Sequence, residues 1–367
     1  MSNAIPGIPA AIDSFDAAER RRALETAAAF RPFNLHCHSI FSYNAYGYSP
    51  SHLALLAARS GWSGVGLVDF DVLDGVEEFL AAAKLVGIPA CAGMETRVFV
   101  PELAEAEINS PGEPGIAYHL GVGFRSGSVP PAERAFAERL RAQAAARTRR
   151  VTELVNTVLP EIALDFDAVA RRYTPAGNVT ERHLCTAYRE AAAARFADPA
   201  ELAAFWREKI GACEEAPVKL EAKIRSKLMK RGGVGYIAPT PESFPPIAEF
   251  NRFVAGCGAV PVMAWLNGLS AGEADPGALL DLHLRYGVKA VTLIPDRNWR
   301  SDDPAKSAAL VAELGRFVAA CRERRLPLLA GTEMNAPGQL LADDFSVPPL
   351  APFYRDFAAG VEAMTSR

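Results

Sequence analysis

Several features are scarce or missing in this sequence, and each absence argues against a class of protein. No apolar run approaches the ~20 residues that a membrane-spanning helix needs. Asp13, Asp16 and Glu19 interrupt the start of the chain, so we expect no secretory signal there. The six cysteines are dispersed without a Cys-x-x-Cys pair, which favours reduced thiols in a cytoplasmic protein. The net charge of −4 argues against a general attraction to nucleic acid or to an anionic membrane.

Histidine is also rare, because only six occur in 367 residues, yet two of them form a close pair. His36 and His38 end an apolar segment that begins at Phe33. In a β-strand, side chains at i and i+2 project to the same face, so both imidazoles can enter one pocket. Imidazole nitrogens are common ligands of divalent metals. The pair therefore predicts a metal site, with two ordinary neighbouring histidines as the alternative.

The chain alternates short apolar strands with amphipathic helices. Its 367 residues, 50% of them hydrophobic, suffice for one barrel of roughly 250 residues plus an insertion, or for two smaller domains. Such alternation is typical of a parallel sheet or barrel built from βα units. Seven strands are predicted, and they end near His36, Asp69, Glu95, Phe124, Ala264, Ile294 and Ala330, with His119 within the fourth. Seven strands are one fewer than the eight of the common (β/α)8 barrel.

Each of the first four predicted strands carries a side chain that can bind metal. These side chains are His36 with His38, Asp69, Glu95 and His119. A βα barrel collects its catalytic groups at the carboxyl ends of its strands. We therefore expect these side chains to meet at one end of the barrel.

The pattern divides the chain into four parts. Residues 1–30 form an arm and a helix, and residues 31–129 form the first part of the barrel. Apolar residues recur with the period of an α-helix throughout residues 130–231, and no strand pattern intervenes. This segment is therefore predicted to be an all-helical insertion. The barrel then resumes in residues 232–367.

A set of ordered motifs connects these pieces. They are His36-Cys37-His38, Asp69-Phe70-Asp71 before Leu73-Asp74-Gly75, Gly93-Met94-Glu95, His119-Leu120-Gly121, and Arg182-His183-Leu184 in the insertion. In order and spacing they resemble the polymerase-and-histidinol-phosphatase (PHP) family, over residues 33–125 and more thinly over 232–345. The resemblance implies an α/β fold, a distorted (β/α)7 TIM-like barrel with a helical insertion, and metal-dependent phosphoesterase activity.

The chain departs from the family pattern at three motifs. Phe70 stands where Asp-His-Asp has its histidine, and Ala264-Trp265-Leu266-Asn267 replaces an Ala-His-Pro. The closing Ser-Asp-x-His is Thr332-Glu333-Met334-Asn335. Three expected histidines are therefore absent, and one aspartate has become glutamate.

The resemblance implies ligands for up to three divalent ions of Mn, Zn, Fe or Mg. A first ion would bind His36, His38, Glu95 and Glu333. A second would share Glu95 and add His119, with Asn267 in place of a histidine. A third keeps Asp69 but has Phe70 and Asn335 where imidazoles are expected, and both are poor substitutes. We expect one well-formed site, a weaker second and no third.

The implied reaction is hydrolysis of a phosphoester, with Asp69 or His119 as the proton-transfer group. The expected partner is a small phosphorylated molecule or phosphate, rather than nucleic acid. The candidates for binding it are Arg97, Arg182, His183, Lys230, Trp265 and Arg297. Two alternatives remain open: a degenerate barrel that binds a ligand or partner without catalysis, and an amidohydrolase-like enzyme that cleaves a non-phosphate bond.

Overall fold

The computed structural model describes residues 30–211 and 216–366. The predicted arm and helix of residues 1–30 lie outside this range except for Phe30. Seven strands form one sheet whose order follows the chain. They are β1 (Asn34–Cys37), β2 (Val65–Phe70), β3 (Ala90–Phe99), β4 (Ile116–Val122), β5 (Val260–Trp265), β6 (Ala290–Leu293) and β7 (Leu328–Ala330). The predicted seven-stranded, distorted barrel is confirmed.

The sheet is closed by hydrogen bonds between its first and last strands. Its neighbours pair in parallel except that β4 is antiparallel to both β3 and β5. Just beyond β7, the N–H of Glu333 donates to the carbonyl of His36 at 2.7 Å. The N–H of His38 donates to the carbonyl of Glu333 at 2.9 Å. We call this contact the seam, and the end where the six parallel strands finish the mouth.

The side chain of Asn34 strengthens the seam from inside. Its Oδ1 accepts from the backbone N–H groups of His36 at 3.0 Å and Thr332 at 3.2 Å. Its Nδ2 donates to Thr332 Oγ1 at 2.7 Å and to the carbonyl of Leu341 at 2.9 Å. A side chain at Gly331 would place its Cβ 2.3 Å from Asn34 Oδ1, so only glycine fits beside this amide.

Eleven α-helices surround the sheet in the described part of the chain. They are α1 (Pro50–Arg59), α2 (Val76–Val86), α3 (Arg134–Asn156), α4 (Phe166–Tyr173), α5 (Glu181–Arg195), α6 (Pro199–Ile210), α7 (Pro217–Ile224), α8 (Ile247–Gly256), α9 (Pro276–Arg285), α10 (Pro304–Glu323) and α11 (Tyr354–Thr365). None of these helices is long and apolar enough to cross a membrane. Five of the six cysteines are described, and all five are free thiols.

Local signals explain where several helices begin and end. Ser49 caps α1 by accepting the N–H of His52, and Pro50 follows in the first turn, where its missing N–H costs nothing. Gly87 ends α2 with φ 70°, a left-handed conformation that favours glycine. A π-helical turn, Arg225–Met229, continues α7.

The helices α3 to α7 lie between β4 and β5 and have a hydrophobic core of their own. Near the start of α3, Phe136 and Leu140 pack in a barrel cluster. Further along the same helix, Val151 and Val155 pack in a cluster formed by the helical segment. A helix of 23 residues is roughly 34 Å long, so α3 spans the distance between the two cores. The division of the chain at residues 130 and 231 stays a prediction.

The reversed direction of β4 changes the position of His119. Gly121, two residues after His119, points to the same face of β4, and a Cβ there would lie 2.6 Å from Val254 of α8. The Nε2 of His119 lies 2.7 Å from Asn251 Oδ1, and its ring stacks on His283 at 5.7 Å. His119 therefore faces the helices and not the barrel interior. This corrects the sequence prediction that it binds metal and transfers protons at the mouth.

His119 is expected to make the fold sensitive to acid. Burial lowers its pKa to about 4, against the hydrogen bond that its Nε2–H donates to Asn251 Oδ1, which raises it. An unfolded chain takes up this proton near pH 6.5 and the folded chain does not, so stability should fall as pH drops from about 6.5 toward 4. At pH 5 the loss is about 2 kcal/mol. The measurement is the free energy of unfolding in urea at pH 7 and at pH 5. The decrease between the two pH values should be smaller in His119→Gln than in the wild type by about 2 kcal/mol.

The exposed His52 provides the matched control, because His52→Gln should leave the difference between the two pH values as in the wild type. An equal difference in His119→Gln and the wild type would contradict the assignment.

Candidate functional site

Three ligand atoms converge where β1 reaches the mouth. His36 and His38 leave the strand on the same side, as the i, i+2 spacing predicts. Their Nε2 atoms each lie 3.2 Å from the same oxygen, Oε2 of Glu95 on β3. The exposed fractions of the three residues are 2%, 0% and 3%, so bulk water does not solvate the group. Within the described residues this is the one group of three or more His, Cys, Asp or Glu whose ligand atoms lie close enough to hold an ion.

The protonation of these groups suits a cation. Burial by itself would raise the pKa of Glu95, but His36 and then His38 lower it to about 2, so Glu95 is a carboxylate. Burial lowers the pKa of His36, and the carboxylate of Glu95 more than compensates, so the net shift is upward. The Nε2 of His38 is buried without a hydrogen-bond partner. Such an unpartnered nitrogen beside a carboxylate fits a bound divalent metal.

Asp69 holds the loop after β1 instead of joining this group. Its Oδ1 accepts from the N–H of Ser39 and from Ser42 Oγ, both at 2.7 Å, and its Oδ2 accepts from Ser39 Oγ at 2.6 Å. Burial raises the pKa of Asp69, and these hydrogen bonds oppose the shift. Both of its oxygens are already in use. The sequence prediction of Asp69 as a metal ligand or proton-transfer group is therefore corrected.

The Ser42 hydroxyl also orients His38. It gives its single proton to Asp69, so toward His38 Nδ1, 3.2 Å away, it can act only as an acceptor. This fixes the proton of His38 on Nδ1 and leaves the Nε2 lone pair available to a cation between His38 and Glu95. On the other side, Phe70 stacks on the His38 ring at 4.2 Å. The residue that replaces an expected histidine therefore packs against a ligand.

Glu333 lies beside the three-atom group with its carboxylate bound to other residues. Its Oε2 accepts from Arg297 Nη2 at 2.6 Å and from Gln339 Nε2 at 2.9 Å. It is 7% exposed, and it is close enough to His36 to raise the pKa of that imidazole. Its backbone has φ 66°, an unusual conformation for glutamate that the seam imposes.

Three other predicted residues are not brought into the group. Asn267 Oδ1 accepts the N–H of Leu269 in its own turn at 3.1 Å. Trp265 is buried on the helix side of the sheet, stacked on Phe317 of α10 at 4.1 Å, and cannot bind substrate. Asn335 is half-buried two residues after Glu333, without a described contact to either histidine. These positions correct the predictions of Asn267 as a ligand and of Trp265 as a stacking platform, and Asn335 as a ligand stays a prediction.

Cationic side chains surround the mouth, and most have acidic partners. The pairs are Arg97 with Glu113 at 2.7 Å, Arg225 and Lys230 with Glu181 at 2.8 Å each, Arg297 with Glu333 at 2.6 Å, and Arg147 with Asp71 at 3.7 Å. The ring of Phe244 lies between Arg97 at 4.2 Å and Arg147 at 4.7 Å. Sequence reasoning missed Arg147, Arg225 and the two serines. The serines follow directly on the His-x-His pair, a signal that could have been used.

Arg182 differs from the other cations at the mouth because it forms no ion pair within the described residues. Burial and the nearby Arg225 lower its pKa, while Tyr43 and Glu333 raise it. Its neighbour His183 caps α5, since its Nδ1 accepts the N–H of Thr180 at 3.0 Å. Burial lowers the pKa of His183 to about 4, so it is neutral. We infer that His183 positions Arg182 and does not itself carry charge to a substrate.

The helical segment also closes over the mouth. Asn178, in the loop before α5, donates from Nδ2 to the carbonyls of Phe41 at 3.1 Å and Phe70 at 2.8 Å. The ring of Tyr43 contacts His183 edge-on at 5.1 Å. These contacts hold Arg182 against the loop that carries the ligands.

Comparison with known proteins agrees with this architecture. An amidohydrolase from Chromobacterium violaceum, solved with bound sulfate and no metal, has a TM-score of 0.57 at 19% identity over 89% of this chain and 96% of its own. A proposed metal-dependent phosphoesterase from Bifidobacterium adolescentis has a TM-score of 0.55 at 19% identity, over 87% and 95%. At these identities the likeness concerns the fold.

A third likeness is in sequence. The chain is 38% identical to an error-prone DNA polymerase from Cutibacterium acnes over 68 residues, which are 18% of this chain and 6% of the polymerase. No protein-family model matches the chain. The barrel and this sequence segment are consistent with the resemblance to the PHP family that the motifs carry.

Ser42→Ala is expected to release the tautomer of His38. In the wild type, ¹⁵N NMR of labelled histidine should show His38 protonated on Nδ1, because Ser42 accepts there. In Ser42→Ala both tautomers should be populated. Ser39→Ala is the control, since it also removes a hydrogen bond to Asp69 but none to His38. A fixed Nδ1–H tautomer in Ser42→Ala would contradict the role given to this hydroxyl.

Proposed function

We propose that the chain is a metal-dependent phosphoesterase that hydrolyses a small phosphorylated molecule. The observation that carries the proposal is the convergence of His36 Nε2, His38 Nε2 and Glu95 Oε2 on one buried point. Beside it, Arg297 pairs with Glu333, and Arg182 is close enough to Glu333 for its charge to act on the guanidinium. Two imidazoles and one carboxylate are a frequent ligand set of zinc and of other first-row divalent ions. We propose a single ion, because His119 and Asn267, the expected ligands of a second, lie elsewhere.

In the proposed reaction, a bound ion and the side chains around it have different roles. A divalent ion supplies charge neutralisation for phosphate and lowers the pKa of a bound water toward ~7. His36, His38 and Glu95 would hold such an ion, and Ser42 keeps His38 in the tautomer that can bind it. Arg182 binds a phosphate oxygen without first breaking an ion pair. Arg297 lies next to the ligands and can share its guanidinium between Glu333 and phosphate.

The charge of the mouth favours phosphate over a neutral amide as the substrate group. Guanidinium groups are suited to the dispersed charge of a phosphoryl oxygen, and hydrolysis of an amide has no need of several of them. The sulfate bound in the Chromobacterium violaceum amidohydrolase supports an anion site in a barrel of this shape. Amide hydrolysis remains the second candidate, because that neighbour is named as an amidohydrolase.

The cover formed by the helical segment supports a small substrate. Asn178 and Tyr43 join the insertion to the loop after β1, and the ligands beneath are buried. A nucleic-acid strand would need an open groove lined by unpaired cations. Most cations here are paired with acids, so we propose a phosphorylated small molecule.

Glu95→Gln is expected to abolish metal binding and hydrolysis together. The neutral amide cannot replace the carboxylate, so metal content measured by inductively coupled plasma mass spectrometry should fall from about one ion per chain to below 0.1. The kcat for 4-nitrophenyl phosphate should fall at least 100-fold. His52→Ala, at an exposed histidine, is the control for both. Full metal content in Glu95→Gln, or a metal-loaded wild type that leaves aryl phosphate intact, would refute the proposal.

Arg182→Ala is expected to weaken phosphate binding. A charge-assisted hydrogen bond contributes about 1.5–3 kcal/mol, so KM for 4-nitrophenyl phosphate and Ki for inorganic phosphate should rise about 10- to 100-fold. Metal content should not change, because Arg182 does not contact the ligand atoms. Arg171→Ala, at an exposed arginine on α4, is the matched control. Unchanged KM and Ki in Arg182→Ala would rule out this role.

A further inference from the structure

The inner face of β3 leads from the ligand group to a cavity near the end of the strand. Glu95, Arg97 and Phe99 alternate along the strand, and its pairing with β4 is regular from Gly93 to Phe99, so the three side chains share one face. Four residues at ~3.3 Å each place Phe99 roughly 13 Å from Glu95. Arg97 lies between them, over the ring of Phe244. A metal ligand (Glu95), a cation (Arg97) and an aromatic ring (Phe99) therefore follow one another along one face of β3.

The cavity at the end of this line has a volume of about 430 Å³. Its floor is the register pair Phe99 and Ile116. Its walls are Tyr236 and the flat rings of Pro114, Pro239 and Pro241. We call this cavity the β3 pocket. Mostly apolar walls and a volume of a few hundred Å³ are typical of small-molecule sites.

Two polar groups at the β3 pocket have no partner in the described part of the chain. The guanidinium of Arg231 forms no ion pair there, and the Tyr236 hydroxyl forms no hydrogen bond. Arg231 lies across Gly112, whose φ of 79° favours glycine; a Cβ there would be 3.4 Å from Arg231 Cδ. Tyr236 is close enough to Arg97 and Glu113 for their charges to act on it. The pocket therefore adjoins the Arg97–Glu113 pair, on the side away from the ligands.

We propose that the β3 pocket binds a planar aromatic group in the alcohol part of the phosphoester substrate. The inference depends on the proposed phosphoesterase activity, because it identifies the subsite for the leaving group of that reaction. Flat proline and tyrosine faces pack well on an aromatic ring, and Arg231 can stack on it as a cation. The spacing requires a ring separated from phosphorus by a linker of several bonds.

The test compares two phosphoesters whose leaving groups are both primary alcohols. These are 4-(1-naphthyl)butyl phosphate and n-butyl phosphate. The wild type should hydrolyse the naphthyl compound with a kcat/KM at least 10-fold higher. Ala238 also lines the pocket. Tyr236→Ala, which removes a wall, and Ala238→Phe, which fills the pocket, should each reduce this ratio at least fivefold. Leu85→Ala, at a leucine that is 87% exposed on α2, should retain the wild-type ratio.

A binding measurement separates this inference from the proposed activity. The fluorescence of 4-(1-naphthyl)butanol, which has no phosphate, should report saturable binding to the wild type and weaker binding to Tyr236→Ala and Ala238→Phe. If this alcohol binds and neither phosphoester is hydrolysed, the proposed activity fails and the pocket stands. If both phosphoesters are hydrolysed at equal kcat/KM and the alcohol does not bind, the β3 pocket is refuted and the activity stands.

Discussion

The seam between β1 and Glu333 is the contact on which the rest of the structure depends. Without it, β1 and β7 would be exposed edge strands of an open sheet. The hydrogen bonds that close the barrel use the backbone of His36, His38 and Glu333, and two of these residues supply the converging ligand atoms. Closing the sheet and placing the imidazoles are therefore one event. The left-handed backbone at Glu333 is a cost that the seam offsets.

Around this seam, polar and aromatic neighbours replace ligands that the family pattern would supply. Asp69 accepts three hydrogen bonds from Ser39 and Ser42, and Ser42 in turn orients His38. Phe70 covers the His38 ring. The result is a dry site with few charges, in which one carboxylate is balanced by two imidazoles. Under the proposed function, an ion bound there would meet a rigid set of donors.

Much of this architecture could be predicted from sequence, because strand parity and the βα alternation are local properties. Spacing and strand ends predicted that His36, His38 and Glu95 would meet, and they do, but the same rule also included Asp69 and His119, which lie outside the group. The direction of β4 could not be predicted, since its composition is the same for either direction, and His119 was misplaced as a result. The role of Asp69 depends on which hydroxyls reach it in space. Trp265 ends β5 and packs on α10. The polar turn after it does not indicate which face of the sheet its side chain occupies.

The antiparallel pairing of β4 with β5 has a consequence for how the insertion relates to the barrel. Val122 and Val260 are direct register partners, so the residues between them start and finish side by side. Topologically, residues 123–259 are the loop of a β-hairpin, expanded into a folded unit that α3 carries from the base of the barrel to its mouth. The expansion displaces no strand and breaks no other pairing. The loop also contains α8, whose Asn251 and Val254 cover β4, so a shorter connection could replace only the part of the loop before this helix. Such a barrel would leave its ligands open to solvent.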